Sequence, residues 1–172
     1  MQHIDPVSHI SKLSYEIGIK SYEQYQKTAN QKDLADAIYH FGMAIDGEPC
    51  ASFWLAKIAT HELQNQSLSE EDRTTYREIL QANLQKIANK LAHNPDAVSR
   101  LDYDQKLELF SLFYGDMNVC DLNMISLFRN ASSNVIRSIT RHEGEVELLT
   151  AETLHSSHFR SFGQHKLILH FF

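Results

Sequence analysis

From residue 34 to residue 59 the apolar side chains recur at spacings of three and four, interrupted only around Gly47 and Pro49. Leu34, Ala37, Ile38, Phe41, Ala44 and Ile45 form one continuous face; Ala51, Trp54, Leu55, Ile58 and Ala59 form the next. This is the period of the α-helix, in which residues three and four apart share a side. A half-buried strand would alternate by two instead. Two amphipathic helices meeting at a Gly/Pro corner are therefore the seed of the fold. Composition agrees, because the 172 residues include only 6 glycines and 3 prolines. That is too few for the tight hairpins of an all-β domain, which draw on glycine for positive φ. The expectation is an all-α chain.

The pattern extends in both directions. A first helix is expected from Asp5 and Pro6, since Asp caps free N–H groups and Pro suits the first helical position. Its stripe reads Ile10, Leu13 and Ile17, with Tyr22 and Tyr25 further on, and it fades near Ala29 and Asn30. After a polar break at residues 64–69, Ser69 with Asp72 resembles a capping box and opens a helix through Tyr76, Ile79, Leu80, Ile87 and Leu91. Asn94 and Pro95 stop that helix and start another, because the residue before a proline is driven out of the α region. A fifth helix holds Leu107, Phe110, Phe113 and Tyr114, with Asp102 and Gln105 placed to cap it and Gly115 closing it. Asp121 caps a sixth, containing Leu122, Ile125, Phe128, Val135 and Ile139, with a break expected in the polar stretch 130–134.

A chain of this length can bury one core. The expected organisation is a helical domain over 1–140 and a C-terminal extension over 141–172 that packs on it or on a partner. Residues 143–155 suit a further short helix. The apolar run Lys166, Leu167, Ile168, Leu169, His170, Phe171 and Phe172 is too short to assign between a strand and a helical turn.

Charge and cysteine content exclude several functions. The net charge is −6 and the 16 Lys and Arg residues form no run, which argues against nucleic acid and against anionic lipid as partners. Cys50 and Cys120 lie far apart and outside any CxxC pair, so they read as core thiols of a reducing compartment. No apolar stretch approaches the roughly 20 residues of a membrane span, and no secretory signal is apparent. The expected location is the cytoplasm, or outside the cell by a route that needs no such signal. The Asn-, Gln- and Ser-rich character suits a bacterial protein, secreted effectors included.

Ala37, Phe41, Ala44 and Pro49 have the small–aromatic–small–proline spacing that resembles the second helix of a tetratricopeptide repeat. Read further, Gly47, Ala51, Leu55 and Ala56 resemble the corresponding segment of Sel1-type repeats, with Ala56 where that family prefers glycine. The link to Gly47 is also one residue shorter than the usual Sel1 spacing. The resemblance covers about residues 13–59. Gly18 and Tyr22 stand too far from Ala37 for a standard repeat, so the first helix must be longer than usual. Beyond residue 60 the pattern degrades, with Asn83 and Lys90 where small residues belong. The two architectures left open are a short array of antiparallel helix pairs and an irregular helical bundle. The resemblance implies a scaffold that binds peptides or proteins on a concave face, with no chemistry and no cofactor of its own.

The residues expected to carry such binding are Tyr15, Tyr22 and Tyr25 on the first helix, Tyr39 on the second and Trp54 on the third. Tyrosine offers apolar area and a hydroxyl together, and an exposed tryptophan is a common binding hot spot. Lys20 and Lys27 nearby suit a carboxylate of a bound peptide. The bland reading of the same aromatics is that they border the core, with Trp54 as an anchor. His40 and His61 read as core-edge histidines.

A metal-dependent helical enzyme is the alternative. The chain has 10 histidines, and His155 and His158 fall on one helical face, with His142, Glu143 and Glu145 upstream. No HExxH, Walker loop, GxGxxG or GxSxG signature accompanies them. The commoner reading of such histidines is a solvated polar tail, and no metal site is assigned. A third reading is a homo-oligomeric subunit whose apolar tail crosses to a neighbour. The expectation carried forward is a protein-interaction module rather than an enzyme.

Overall fold

A computed structural model describes residues 6–116 and 122–143, and over these the chain is all-helical, with no strand among the described residues. Six α-helices follow in order: α1 (Pro6–Thr28), α2 (Gln31–Ala44), α3 (Cys50–Leu63), α4 (Glu70–His93), α5 (Tyr103–Asp116) and α6 (Leu122–Glu143). A single 3-10 turn, Pro95–Val98, stands between α4 and α5. No described helix is long and apolar enough to cross a membrane. The chain groups into two compact units, one ending at Ile87 and the other starting at Ala88.

In the first unit, α1 and α2 form an antiparallel hairpin. Ala29 adopts φ 54, the left-handed conformation that ends many helices, and donates its N–H to the Tyr25 carbonyl at 2.7 Å. Asn30 then caps α2, its side chain accepting from the Lys32 N–H at 3.0 Å. So tight a link leaves α2 little choice but to fold back along α1. Small residues allow α1 to approach both α2 and the turn that follows it. A Cβ on Gly18 would stand 2.8 Å from the Phe41 ring, and one on Gly47 would stand 2.6 Å from the Ser11 side chain. α1 runs for 23 residues against the 14 of α2.

The buried face of α1 is not the one its aliphatic residues mark. Ser11, Ser14, Tyr15, Gly18 and Tyr22 turn inward, whereas Ile10 and Leu13 are 55% and 53% exposed. The physical reason is close approach. Phe41 and Trp54 fill the space beside α1, and only small side chains or flat rings fit against them.

α3 packs on α2 and is enclosed almost all round. Cys50, Ala51, Phe53, Trp54, Leu55, Ala56, Ile58 and Ala59 are all buried. Cys50 is a buried thiol outside any disulfide, as its apolar surroundings predict, while Cys120 lies outside the described residues. α4 opens with the expected cap. Ser69 Oγ accepts from the Asp72 N–H at 3.0 Å and donates to its carboxylate at 2.6 Å, a compact version of the reciprocal box.

The second unit holds the end of α4, the 3-10 turn, α5 and α6. Asn94 ends α4, but its side chain then caps only the 3-10 turn, accepting from the Asp96 N–H at 3.0 Å. Asp102 and Gln105 form a complete capping box at the start of α5: the Gln105 N–H donates to Asp102 Oδ1 at 2.9 Å, and the Asp102 N–H to Gln105 Oε1 at 3.1 Å. Phe113 of α5 meets Phe128 of α6 with ring centroids 5.2 Å apart. The break expected at residues 130–134 does not occur, and α6 is continuous. Two of its polar side chains are satisfied by backbone, Ser133 donating to the Arg129 carbonyl and Asn134 to the Leu91 carbonyl at 2.8 Å, while Ala131 and Ser132 are buried and the Ser132 hydroxyl has no hydrogen-bond partner among the described residues.

Candidate functional site

Three of the five aromatic residues expected at a partner surface, Tyr15, Tyr22 and Trp54, lie instead in the core of the first unit. Tyr15 and Tyr22 are each 3% exposed, and Trp54 is 9% exposed. The Trp54 indole N–H donates to the Tyr15 hydroxyl at 3.0 Å, so α1 and α3 satisfy each other's polar tips inside. Trp54 stacks on Phe41 with centroids 5.8 Å apart and an interplanar angle of 2°. Tyr22 and Phe53 meet it edge-on at 5.8 and 5.4 Å. The Lys57 ammonium lies 5.4 Å from the Trp54 centroid and 5.9 Å from that of Phe53. Of the seven residues expected at a partner surface, Lys20, Lys27 and Tyr39 are exposed and Tyr25 is half-buried. Tyr39 lies on the side of α2 away from Phe41, so the structure does not gather the seven on one face.

What the structure does gather is a set of polar groups around Glu62. This residue sits in the last turn of α3, on the stripe that runs Ala51, Leu55 and Ile58, and only 7% of its side chain is exposed. The Tyr25 hydroxyl, from α1, donates to Glu62 Oε1 at 2.8 Å. The neighbouring His61, mostly exposed, brings Nδ1 within 3.2 Å of the same oxygen. Tyr76, from α4, is close enough to feel the carboxylate's charge. Three helices thus converge on one acid.

The phenols register this environment. Burial pushes the Tyr25 hydroxyl above its ordinary value of 10.0, and the hydrogen bond to Glu62 and its negative charge push it further. Burial raises Tyr76 too, with the charges of Glu62 and Asp72 adding to it. Both phenols are thereby favoured in the neutral form, in which Tyr25 donates to Glu62. Arg73 is nearby but engaged elsewhere, donating to the carbonyls of Leu63 at 3.2 Å and Asn65 at 3.1 Å and pairing with Glu70.

Sequence reasoning passed over Glu62, although a signal was there: it is the one carboxylate that continues the apolar stripe of α3 by four residues from Ile58. Of the alternative metal set, His142 and Glu143 fall in the last turn of α6, and Glu145, His155 and His158 lie outside the described residues. Among the described residues no three His, Cys, Asp or Glu side chains come together as metal ligands. No protein-family model matches the chain, and neither does any curated protein or solved structure with which it was compared.

Proposed function

We propose that this chain is a protein-interaction module that binds a peptide or protein on the helical surface of its first unit. The observation that carries the reading is the aliphatic edge left outside the core: Ile10 and Leu13, one helical turn apart on α1, are more than half exposed. Tyr39 and Met43, one turn apart on α2, are 63% and 51% exposed. Single exposed apolar residues are ordinary, but paired ones on consecutive turns form a stripe of the kind that partner helices or extended peptides cover.

The resemblance to tetratricopeptide and Sel1-type hairpins supports the same reading. Ala37, Phe41 and Ala44 are fully buried, and the aromatic seats against a glycine of the preceding helix. Such hairpins bury one flank against the next repeat and present the other to partners.

The test is a selection of binding peptides from a random display library on the whole chain, followed by affinity measurements with Leu13→Asp and Met43→Asp variants. Selected peptides are expected to lose about tenfold or more in affinity on at least one variant, the effect of removing a buried apolar anchor. Failure to select any saturable binder, or binding indifferent to both changes, contradicts the proposal.

A further inference from the structure

The outward side of α2 carries features that the packing of the first unit does not use. Ala35, Asp36, Tyr39, Gly42, Met43 and Asp46 are all exposed, on the side away from Leu34, Ala37 and Phe41. Gly42 differs from the other glycines of this hairpin. A Cβ on Gly18 or Gly47 would collide with Phe41 or Ser11, but a Cβ on Gly42 would meet nothing within 4 Å. Glycine is a poor residue for a helix interior, and no neighbour among the described residues asks for it there. The charges at the two ends also run against the helix. Lys32 lies in the first turn of α2, the positive end of the dipole, and Asp46 lies just past the last turn, the negative end. Neither forms an ion pair among the described residues.

These residues share one spacing. Lys32, Tyr39 and Asp46 follow at intervals of seven, and Ala35 and Gly42 stand three residues after the first two. That is the seam of a two-helix coiled coil. The helical course reaches Asp46, because Ile45 keeps αR dihedrals and the Glu48 N–H donates to the Ala44 carbonyl at 2.8 Å.

We propose that this face binds the same face of a second copy of the chain, the two α2 helices running antiparallel about a twofold axis. The proposal rests on the interaction-module reading: it gives the Tyr39 and Met43 stripe its partner and leaves Ile10 and Leu13 to others. A twofold contact must be self-complementary, and this seam is. Reversed against itself, it brings Lys32 of each copy to Asp46 of the other at both ends. Each charge then lies at the end of the neighbouring helix whose dipole favours it. In the middle, Ala35 and Gly42 let the backbones approach, and Tyr39 of each copy fills the space left open over Gly42 of the other. A parallel pairing would set lysine against lysine and aspartate against aspartate. One helix face per copy falls short of the roughly 1,200 Å² that stable complexes bury, so the dimer is weak and concentration-dependent.

The experiment is sedimentation velocity of the full chain from about 5 µM to about 500 µM, a range that covers weak association. The average mass is expected to rise with concentration toward that of a dimer. Lys32→Asp and Asp46→Lys each place like charges together at both ends, and each should weaken association about tenfold or more. Mixed in equal amounts, the two variants present opposite charges at both ends and should associate again, which no loss of folding could produce. Gly42→Gln sends its side chain into space that is open in the single chain, so it should melt no lower than the parent yet stay monomeric. A parent mass that stays monomeric throughout, association indifferent to both charge changes, or variants that remain monomers when mixed overturns the proposal. Peptide capture that needs Leu13, by a chain that stays monomeric, removes the dimer alone and leaves the interaction module standing.

Discussion

The Phe41 ring lies 2.8 Å from the point where the side chain of any residue larger than glycine at position 18 would begin. Phe41 cannot retreat, because it is fully buried and lies flat against Trp54. Gly18→Ala therefore overfills the α1–α2 contact. Overpacking of this kind costs about 1–3 kcal/mol, and the better helix propensity of alanine returns at most about 1 kcal/mol. A net loss is expected in urea unfolding. A stabilised variant would show that the hairpin opens more easily than its packing implies.

Trp54 is the only tryptophan, and it is buried. Its emission should be blue-shifted in the folded chain and move to the red on unfolding. Trp54→Phe removes the donor to Tyr15 and part of the stack on Phe41, at an expected cost of about 1–3 kcal/mol. A red-shifted native spectrum would place the indole at the surface and revive it as a partner contact.

Alkaline pH should weaken the first unit through its tyrosines. The folded values of Tyr25 and Tyr76 lie above the unfolded value of 10.0, so the fold favours the protonated phenols. Their contribution is complete below pH 10.0 and is lost as pH rises through the higher folded values. Unfolding midpoints measured at about pH 9 and about pH 11 should fall between the two, and less so in Tyr25→Phe, which has no proton to lose. An equal fall in the variant would assign the effect to other groups.

At the surface the opposite outcome is expected. Leu13 is mostly exposed, so Leu13→Asp should alter stability by no more than about 0.5 kcal/mol. The same measurement decides whether the aliphatic stripe of α1 is free: a loss of several kcal/mol would mean that something already covers it.

In the second unit the box between Asp102 and Gln105 can be tested separately. Asp102→Ala leaves the Gln105 N–H without its acceptor and should cost about 0.5–2 kcal/mol. Hydrogen exchange should then quicken in the first turn of α5 while the centre of α6 stays protected. Uniform loss of protection across α6 would show the two helices to unfold as one.

Local chemistry determined the helices themselves. The three-and-four spacing of Leu34 to Ile45, the proline at 49, the cap at Ser69 and the box at Asp102 act within a few residues of where they stand, so their effects were legible without knowing the fold. Tertiary packing decided the rest. Ile10 and Leu13 mark an apolar face of α1, yet the helix turns Ser11, Gly18 and Tyr22 inward. Close approach of two helices is governed by the volume of the facing side chains, and Phe41 and Trp54 arrive from elsewhere in the chain. Residues 130–134 look too polar for a helix interior, but α6 runs through them, in part because Asn134 finds the Leu91 carbonyl 43 residues away. Glu62 is one acid among many in the sequence. It stands out only in the fold, which brings Tyr25 of α1 and Tyr76 of α4 to the last turn of α3 from 37 residues before it and from the helix after it.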